Sequence, residues 1–222
     1  RFEAASRQGL TPLVGRGEEI ALLQNRWRQS VAGEGQVVIL SGEAGVGKSR
    51  IVEGFRQDMA GVDHGIIYLA CSPFHANTAL YPVIECLERL LGIEKNDDDG
   101  ARAAKLDEFV GGLELDPAEI TPYIGGLLFE PIDERHAAPD SSPEERKRHL
   151  FEALLSLLAV QAGRRPFLMI AEDIHWIDPS TEEFLGALID RIRNLKMLLL
   201  MASRPEYAVS WSGQPHVTTL AL

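Results

Sequence analysis

Cysteine is scarce: the 222-residue chain has two, Cys71 and Cys86. Their spacing fits neither a disulfide framework nor a thiolate metal site. Such sparse usage suits a reducing compartment, so both are expected as buried thiols. Long apolar runs are missing as well. The run at residues 197–202 is six residues long, against roughly 20 for a helix that crosses a bilayer. A helical membrane span is thereby excluded, and a cytoplasmic location is expected. Positive charge is in short supply: 22 Lys and Arg face 33 Asp and Glu, for a formal charge of -11. That balance repels phosphate backbones and anionic lipid over most of the surface, so nucleic acid and membranes are poor partners. No secretory pattern opens the chain and Arg1 stands first without a methionine, so the sequence is expected to be a segment of a longer protein.

What is present is ordinary globular material. Hydrophobic residues make up 45% and charged ones 25%, and a chain of this length buries roughly 70% of its unfolded surface. Residues 1–12 end in Thr11-Pro12 and read as a linker. Residues 18–31 carry Ile20, Leu22, Leu23, Trp27 and Val31 at helical spacing, with Gly33 and Gly35 as a stop. Residues 36–40, 65–70, 166–171 and 197–202 are short apolar runs, the pattern of strands buried on both faces of a parallel sheet. Residues 216–222 form a weaker fifth run. Between the runs, residues 49–60, 81–91, 143–162 and 180–193 repeat apolar positions at three and four, and Ser142-Pro143 and Pro179-Ser180 supply helix starts. Strands alternating with helices predict an α/β domain: a three-layer αβα sandwich around a parallel sheet of about five strands.

Residues 92–142 break this rhythm. A turn at 96–100, short helices at 101–113 and 117–129, and a polar stretch at 131–142 read as a helical insertion. Asp97-Asp98-Asp99-Gly100 is read as a solvated turn and not a calcium loop, since Ala101 occupies the next ligand position. Glu144-Glu145-Arg146-Lys147-Arg148-His149 reads as a mixed-charge helix surface.

Gly42-Glu43-Ala44-Gly45-Val46-Gly47-Lys48-Ser49 matches G-x-x-x-x-G-K-[ST], directly after a buried strand and opening a helix. Gly42 and Gly47 let the backbone curl so that N–H groups and a helix N-terminus converge on phosphate oxygens. Lys48 is expected to neutralise the β- and γ-phosphates and the Ser49 hydroxyl to ligate Mg²⁺, with residues 42–50, Arg50 included, forming the cradle. The chain is thus expected to be a P-loop NTPase with ATP or ADP and Mg²⁺ as its ligands. Phe167-Leu168-Met169-Ile170-Ala171-Glu172-Asp173 supplies the acidic partner, a Walker B pattern. The first acid, Glu172, is assigned to the metal with Ser49, and the second, Asp173, to the attacking water. Since Asp is commoner in the first position, the residue types leave that division of roles open. The run at 197–202 ends in Ser203-Arg204, a polar residue and an Arg at the carboxyl end of a strand that resemble the sensor position of AAA+ ATPases; the resemblance implies that Arg204 reads the γ-phosphate with a bidentate fork. A surface Arg capping the sheet is the other reading.

Leu13-Val14-Gly15-Arg16 with Glu18-Glu19, the loop at 42–49, Glu172-Asp173-Ile174-His175-Trp176-Ile177-Asp178 and Ser203-Arg204 together resemble the nucleotide-binding core of the STAND group of AAA+-related ATPases. Arg1-Phe2-Glu3-Ala4, Ala79-Leu80-Tyr81-Pro82-Val83-Ile84-Glu85 and Gly213-Gln214-Pro215-His216-Val217-Thr218-Thr219-Leu220 resemble the ATPase segment of bacterial class III adenylate/guanylate cyclase fusion proteins. The resemblance implies an ATPase core over residues 13–222, with Val14, Gly15 and Arg16 against the adenine and ribose. It also implies a cyclase-like domain before the segment, TPR-like repeats after it, a lid or winged-helix portion beyond residue 222, and nucleotide-dependent self-association. Trp176 is expected as a packing anchor, and His175 as either a structural hydrogen-bonder or a catalytic group.

The reading is an ATP-binding, Mg²⁺-dependent ATPase serving as a regulatory module of a multidomain signalling protein. Its alternative is a slow ADP/ATP-bound switch. A nucleotide kinase needs an arginine-rich lid, and residues 92–142 hold only Arg102 and Arg135. A DNA-loading initiator is disfavoured by the charge.

Overall fold

The computed structural model describes residues 15–207, 211 and 213–222. The expected linker and Val14 lie outside the described residues. In chain order the elements are α1 (Gly17–Val31), β1 (Gln36–Ser41), α2 (Lys48–Asp58), β2 (Gly65–Ala70), α3 (Tyr81–Leu91), α4 (Asp99–Gly111), α5 (Pro117–Leu128) and α6 (Pro143–Arg164). β3 (Phe167–Glu172), a 3₁₀ turn (Ile174–Trp176), α7 (Pro179–Ile192), β4 (Met197–Ser203) and β5 (Val217–Ala221) follow. No described helix is long and apolar enough to cross a membrane.

The five strands form one parallel sheet in the order β2-β3-β4-β1-β5. The apolar runs split by alternation between its two faces. Val38, Leu40, Leu168, Ile170, Leu198 and Leu200 meet Leu23 and Trp27 of α1 and Ile51, Val52 and Phe55 of α2. Val37, Ile39, Met169, Ala171, Leu199 and Met201 point the other way, against helices α3 to α7. Two covered faces make the three-layer α/β sandwich of a P-loop NTPase. They also explain why β1, β3 and β4 carry no polar alternation.

Residues 92–142 are integral to this core. Ala103, Leu106 and Val110 of α4 and Ile120, Ile124 and Leu128 of α5 belong to the same buried cluster as α6 and α7. The acidic turn begins α4 earlier than the periodicity predicts, because the Asp98 carboxylate caps the helix by accepting from Ala101 N–H at 2.8 Å. Asp97 pairs with Lys105 at 2.6 Å. The start of α6 is a capping box: Ser142 Oγ accepts from Glu145 N–H at 3.2 Å, and the Glu145 carboxylate accepts from Ser142 N–H at 2.9 Å. Cys71 is buried and Cys86 half-buried, and neither is in a disulfide. Burial pushes their thiols up to about 12 and about 11, so neither is a ready nucleophile.

Asp178 joins two elements that frame the carboxyl ends of the strands. Its side chain is 1% exposed. Oδ1 accepts from Ser180 N–H at 3.1 Å and Thr181 N–H at 2.9 Å, capping α7, and from Leu80 N–H at 3.0 Å, 98 residues away. Oδ2 accepts from the Thr181 hydroxyl at 2.6 Å. Leu80 needs that tie because it sits at φ 57, where a branched side chain is strained. Replacing Asp178 by Ala removes the cap and leaves buried N–H groups unpaired. Asp178→Ala is expected to cost about 2 to 4 kcal/mol, read as a lowered urea midpoint at unchanged slope.

Candidate functional site

Parallel strands all end on the same side, and the register aligns those ends. Ser41 of β1 pairs with Ser203 of β4, and Ala171 of β3 with Met201. The segments after β1, β3 and β4 therefore emerge side by side, with β4 between the other two. Ligand crevices of open α/β sheets form at this edge.

The segment after β1 is the glycine-rich loop. Gly47, which caps α2, has φ 105, a left-handed conformation that disfavours any side chain. Gly42 is required for a different reason. A Cβ there would lie 2.9 Å from Val46 Cγ1 and 3.2 Å from Leu222 Cβ, closer than packed carbons tolerate. Lys48 opens α2 and folds its buried ammonium back under the loop, with Nζ donating to Gly42 O at 2.6 Å and Glu43 O at 2.9 Å. The loop thus encloses a cation at the positive end of a helix.

Arg16 braces the loop from outside. Its Nη2 donates to Val46 O at 3.2 Å, and its Nη1 pairs with Glu19 at 2.7 Å. The Arg16 hydrogen bond holds the Glu19 carboxyl below its ordinary value. Gly15 precedes it in a left-handed conformation at φ 76. Two of the residues expected near a base and ribose therefore stand beside the loop, while the third, Val14, is outside the described residues.

The segment after β3 carries the acids, and the structure sends them in different directions. Glu172, the last residue of β3, accepts a hydrogen bond from the Ser49 side chain; among the described residues its buried Oε1 has no hydrogen-bond partner. Asp173 turns out of the strand at φ 55 and is exposed in the crevice. A cavity of about 250 Å³ lies between the two sides. Ala44, Gly45, Gly47, Lys48, Ser49 and Arg50 line it from the loop and α2, and Asp173, His175 and Arg204 from the facing segments. Gly42, Glu43, Val46 and Glu172 are not part of that lining.

Burial raises the Glu172 carboxyl above its ordinary value, and the charges of Asp173 and Glu53 push it the same way, against the Ser49 bond. A carboxyl raised by folding favours the fold only while protonated. Its charged form at neutral pH is a cost. Glu172→Gln keeps an acceptor for Ser49 and removes the charge. The variant is expected to gain about 1 kcal/mol in urea unfolding at pH 7, a gain that vanishes in acid, where Glu172 is itself neutral.

His175 follows in the 3₁₀ turn, with both ring nitrogens buried and, among the described residues, without hydrogen-bond partners. Burial lowers its imidazole below the ordinary value; the charges of Arg204 and Lys48 push further down, against Asp173 and Glu206. Among the described residues the turn makes no hydrogen bond to this ring. Trp176 also departs from expectation: it is 38% exposed, not a buried anchor. Its ring tilts against His175 at 5.2 Å.

Two contributors were not assigned roles from sequence. Ser203, at the end of β4, is fully buried with an unpartnered Oγ. Asp178 ties the crevice together, and its cap was legible in the Asp178-Pro179-Ser180-Thr181 order. Chemically, an ammonium, a helix N-terminus, an acid and a guanidinium line one cavity, and a half-buried hydroxyl–carboxylate pair, Ser49 and Glu172, adjoins it. The first set suits a multiply charged anion. The second is the oxygen donor set of a hard divalent cation, and the unpartnered Glu172 Oε1 fits that use.

The family described as AAA ATPase domain matches residues 12–201. An uncharacterized protein of Rhizobium meliloti (strain 1021) is 29% identical over 224 residues, a match covering 100% of this chain and 21% of the relative. The chain thus spans about a fifth of the length of that curated relative. Among solved structures, Cdc6p from Pyrobaculum aerophilum superposes with a TM-score of 0.55 at 12% identity, over 99% of this chain and 48% of that one. At such identity the likeness is one of fold. A STAND protein with a tetratricopeptide repeat sensor from Pyrococcus horikoshii aligns with a TM-score of 0.44 at 16% identity, over 96% of this chain and 23% of that one.

Proposed function

This chain belongs to the AAA ATPase domain family, and from that premise we propose that it binds ATP with Mg²⁺ and hydrolyses it to ADP and phosphate. The observation that carries the reading is that one cavity is lined by Lys48 and Ser49 from the loop and α2 and by Asp173 and Arg204 from the segments after β3 and β4. In this reading Lys48 exchanges its bonds to Gly42 O and Glu43 O for β- and γ-phosphate oxygens, and the loop N–H groups hold the rest of the triphosphate. Ser49 and Glu172 hold the metal. Mg²⁺ held there would supply charge neutralisation to the phosphates. Asp173, exposed in the crevice, orients the attacking water and accepts its proton. Arg204 places its fork on the γ-phosphate, and Gly15 and Arg16 stand at the side where the base and ribose lie. Little bond-making falls to the protein; positioning and electrostatics do the work.

The regulatory role is part of the same proposal. The core controls flanking domains, cyclase-like before and TPR-like after, and its nucleotide state governs self-association. What supports this is the sequence resemblance to cyclase fusion proteins and the small share of its curated relative that the chain covers.

The test is to denature the purified protein, identify released nucleotide by chromatography, and follow phosphate release from added Mg-ATP. Steady release that disappears in Lys48→Ala is expected. Retained ADP with negligible turnover would replace a cycling ATPase by a nucleotide-held switch. Neither bound nucleotide nor phosphate release would overturn the reading.

A further inference from the structure

The turn after β3 places one more functional side chain in the cavity wall. His175 lines the cavity together with Lys48 and Arg204. Polar atoms in a protein interior are paired in the great majority of cases, and an unpaired one calls for an explanation. Here both imidazole nitrogens are buried with no hydrogen-bond partner among the described residues. The turn does not need them for its own stability: it is held by Trp176 N–H donating to Asp173 O at 2.9 Å and Ile177 N–H donating to Ile174 O at 3.1 Å. The next fixed point is the Asp178 cap. The backbone around His175 is therefore secured on both sides by other groups, and its ring is left unspent beside two cations.

Those two cations share the cavity lining with the ring, and their charges act on it. Lys48 comes from the loop after β1, Arg204 from the end of β4 and His175 from the turn after β3, so the three reach one cavity from three different strands. An anion that satisfies both cations sits within the reach of an imidazole that turns about its two side-chain torsions. In the proposed reaction that anion is the terminal phosphoryl group.

We propose that His175 is a catalytic residue that donates a hydrogen bond from its ring N–H to a γ-phosphoryl oxygen as charge shifts during ATP hydrolysis. This rests on the ATPase reading above and assigns a further residue to the same site. In the step, the water oxygen bonds to the γ-phosphorus and the bond from that phosphorus to the β,γ-bridging oxygen breaks. ADP leaves with the bond's electron pair, and the water's proton passes to Asp173. His175 keeps its proton throughout; it contributes a preorganised neutral donor. A hydrogen-bond donor to developing charge contributes about 100- to 1,000-fold to rate when it is the main one. Sharing the phosphoryl oxygens with Lys48 and Arg204, His175 is expected at the lower end of that range.

The experiment compares wild type, His175→Ala, His175→Gln and Lys48→Ala by single-turnover phosphate release, by calorimetric titration with ADP, and by thermal melting. The expected result is a roughly 100-fold loss of rate in His175→Ala, with ADP affinity and melting temperature unchanged. His175→Gln, which keeps a side-chain N–H donor, is expected to recover at least a tenfold part of that loss. An unchanged rate in His175→Ala would overturn the assignment. So would a loss that Gln does not relieve and that tracks a lowered melting temperature or weakened ADP binding, since that marks a structural role. If wild type itself neither binds ADP nor releases phosphate, the ATPase reading falls. If wild type turns over in a Lys48-dependent manner while the His175 variants match it, the role of His175 falls alone.

Discussion

Lys48→Ala is expected to lower affinity for both ATP and ADP by about 100-fold or more while the domain still folds. The reason lies in where the ammonium is. Nζ is enclosed by the loop, with 2.6 and 2.9 Å bonds to Gly42 O and Glu43 O, in the wall of the cavity. Charge-assisted bonds of a buried ammonium to phosphate are about twice as strong as neutral ones. Two bonds of about 1.5 to 3 kcal/mol each account for a factor of this size, since 1.4 kcal/mol is tenfold. Stability is expected to change much less. The lost bonds are to loop carbonyls that water can reach once the side chain is truncated. Isothermal titration with both nucleotides, beside a urea melt, separates the two effects. Affinity within tenfold of wild type would move the phosphate cradle elsewhere.

Asp173→Asn is expected to leave nucleotide affinity within a few fold and to lower the hydrolytic rate by about 100- to 10,000-fold, the usual contribution of a positioned general base. Asparagine is the right replacement for a structural reason. Asp173 is one of two non-glycine residues with positive φ among the described residues, at φ 55, and Asn enters that region more readily than Ala does. An Ala variant would mix backbone strain with lost chemistry. The amide also keeps the shape of the carboxylate while losing its capacity to take a proton. Single-turnover phosphate release with nucleotide in excess reads the rate, and fluorescent-nucleotide titration reads the affinity. A matching loss in Glu172→Gln, with Asp173→Asn unaffected, would exchange the roles of the two acids.

That exchange is the point on which residue types alone were undecided. Glu172 and Asp173 are consecutive acids after an apolar run, and nothing local distinguishes them. The sheet does: strand alternation and the sharp turn at Asp173 put Glu172 against Ser49 of α2 and Asp173 in the open crevice. The same limit applied to His175. Its residue type fitted both a structural and a catalytic reading, and the absence of any partner for either nitrogen became visible only with the neighbouring segments in place. Trp176 reads as a buried anchor by its size, yet the short turn leaves it partly exposed.

The helical stretch at 92–142 shows the complementary case. Its helices were legible from apolar spacing and caps, with Asp98 as the detail that moved a boundary. That they share one core with α6 and α7 was not, because amphipathic spacing shows that a face is buried and not what covers it.

By itself, then, the sequence determined the local facts. These are the strands at 36–40, 166–171 and 197–202, buried on both faces as their apolar runs predict, helix starts written in Ser142-Pro143 and Pro179-Ser180, and a glycine-rich loop placed between a strand and a helix. The run at 65–70 is also a strand, but at the sheet edge it leaves Ile66 exposed and is not buried on both faces. Such features depend on φ preferences, caps and periodicity within a few residues. The tertiary structure alone decided the lateral order β2-β3-β4-β1-β5. It also decided the meeting of Arg204 and His175 with Lys48 across a gap of more than a hundred residues, and the bond from Asp178 to Leu80 that secures the crevice. Those outcomes depend on which strands pair and in what register, a choice made by burial of whole faces against one another, which no short window of residues encodes.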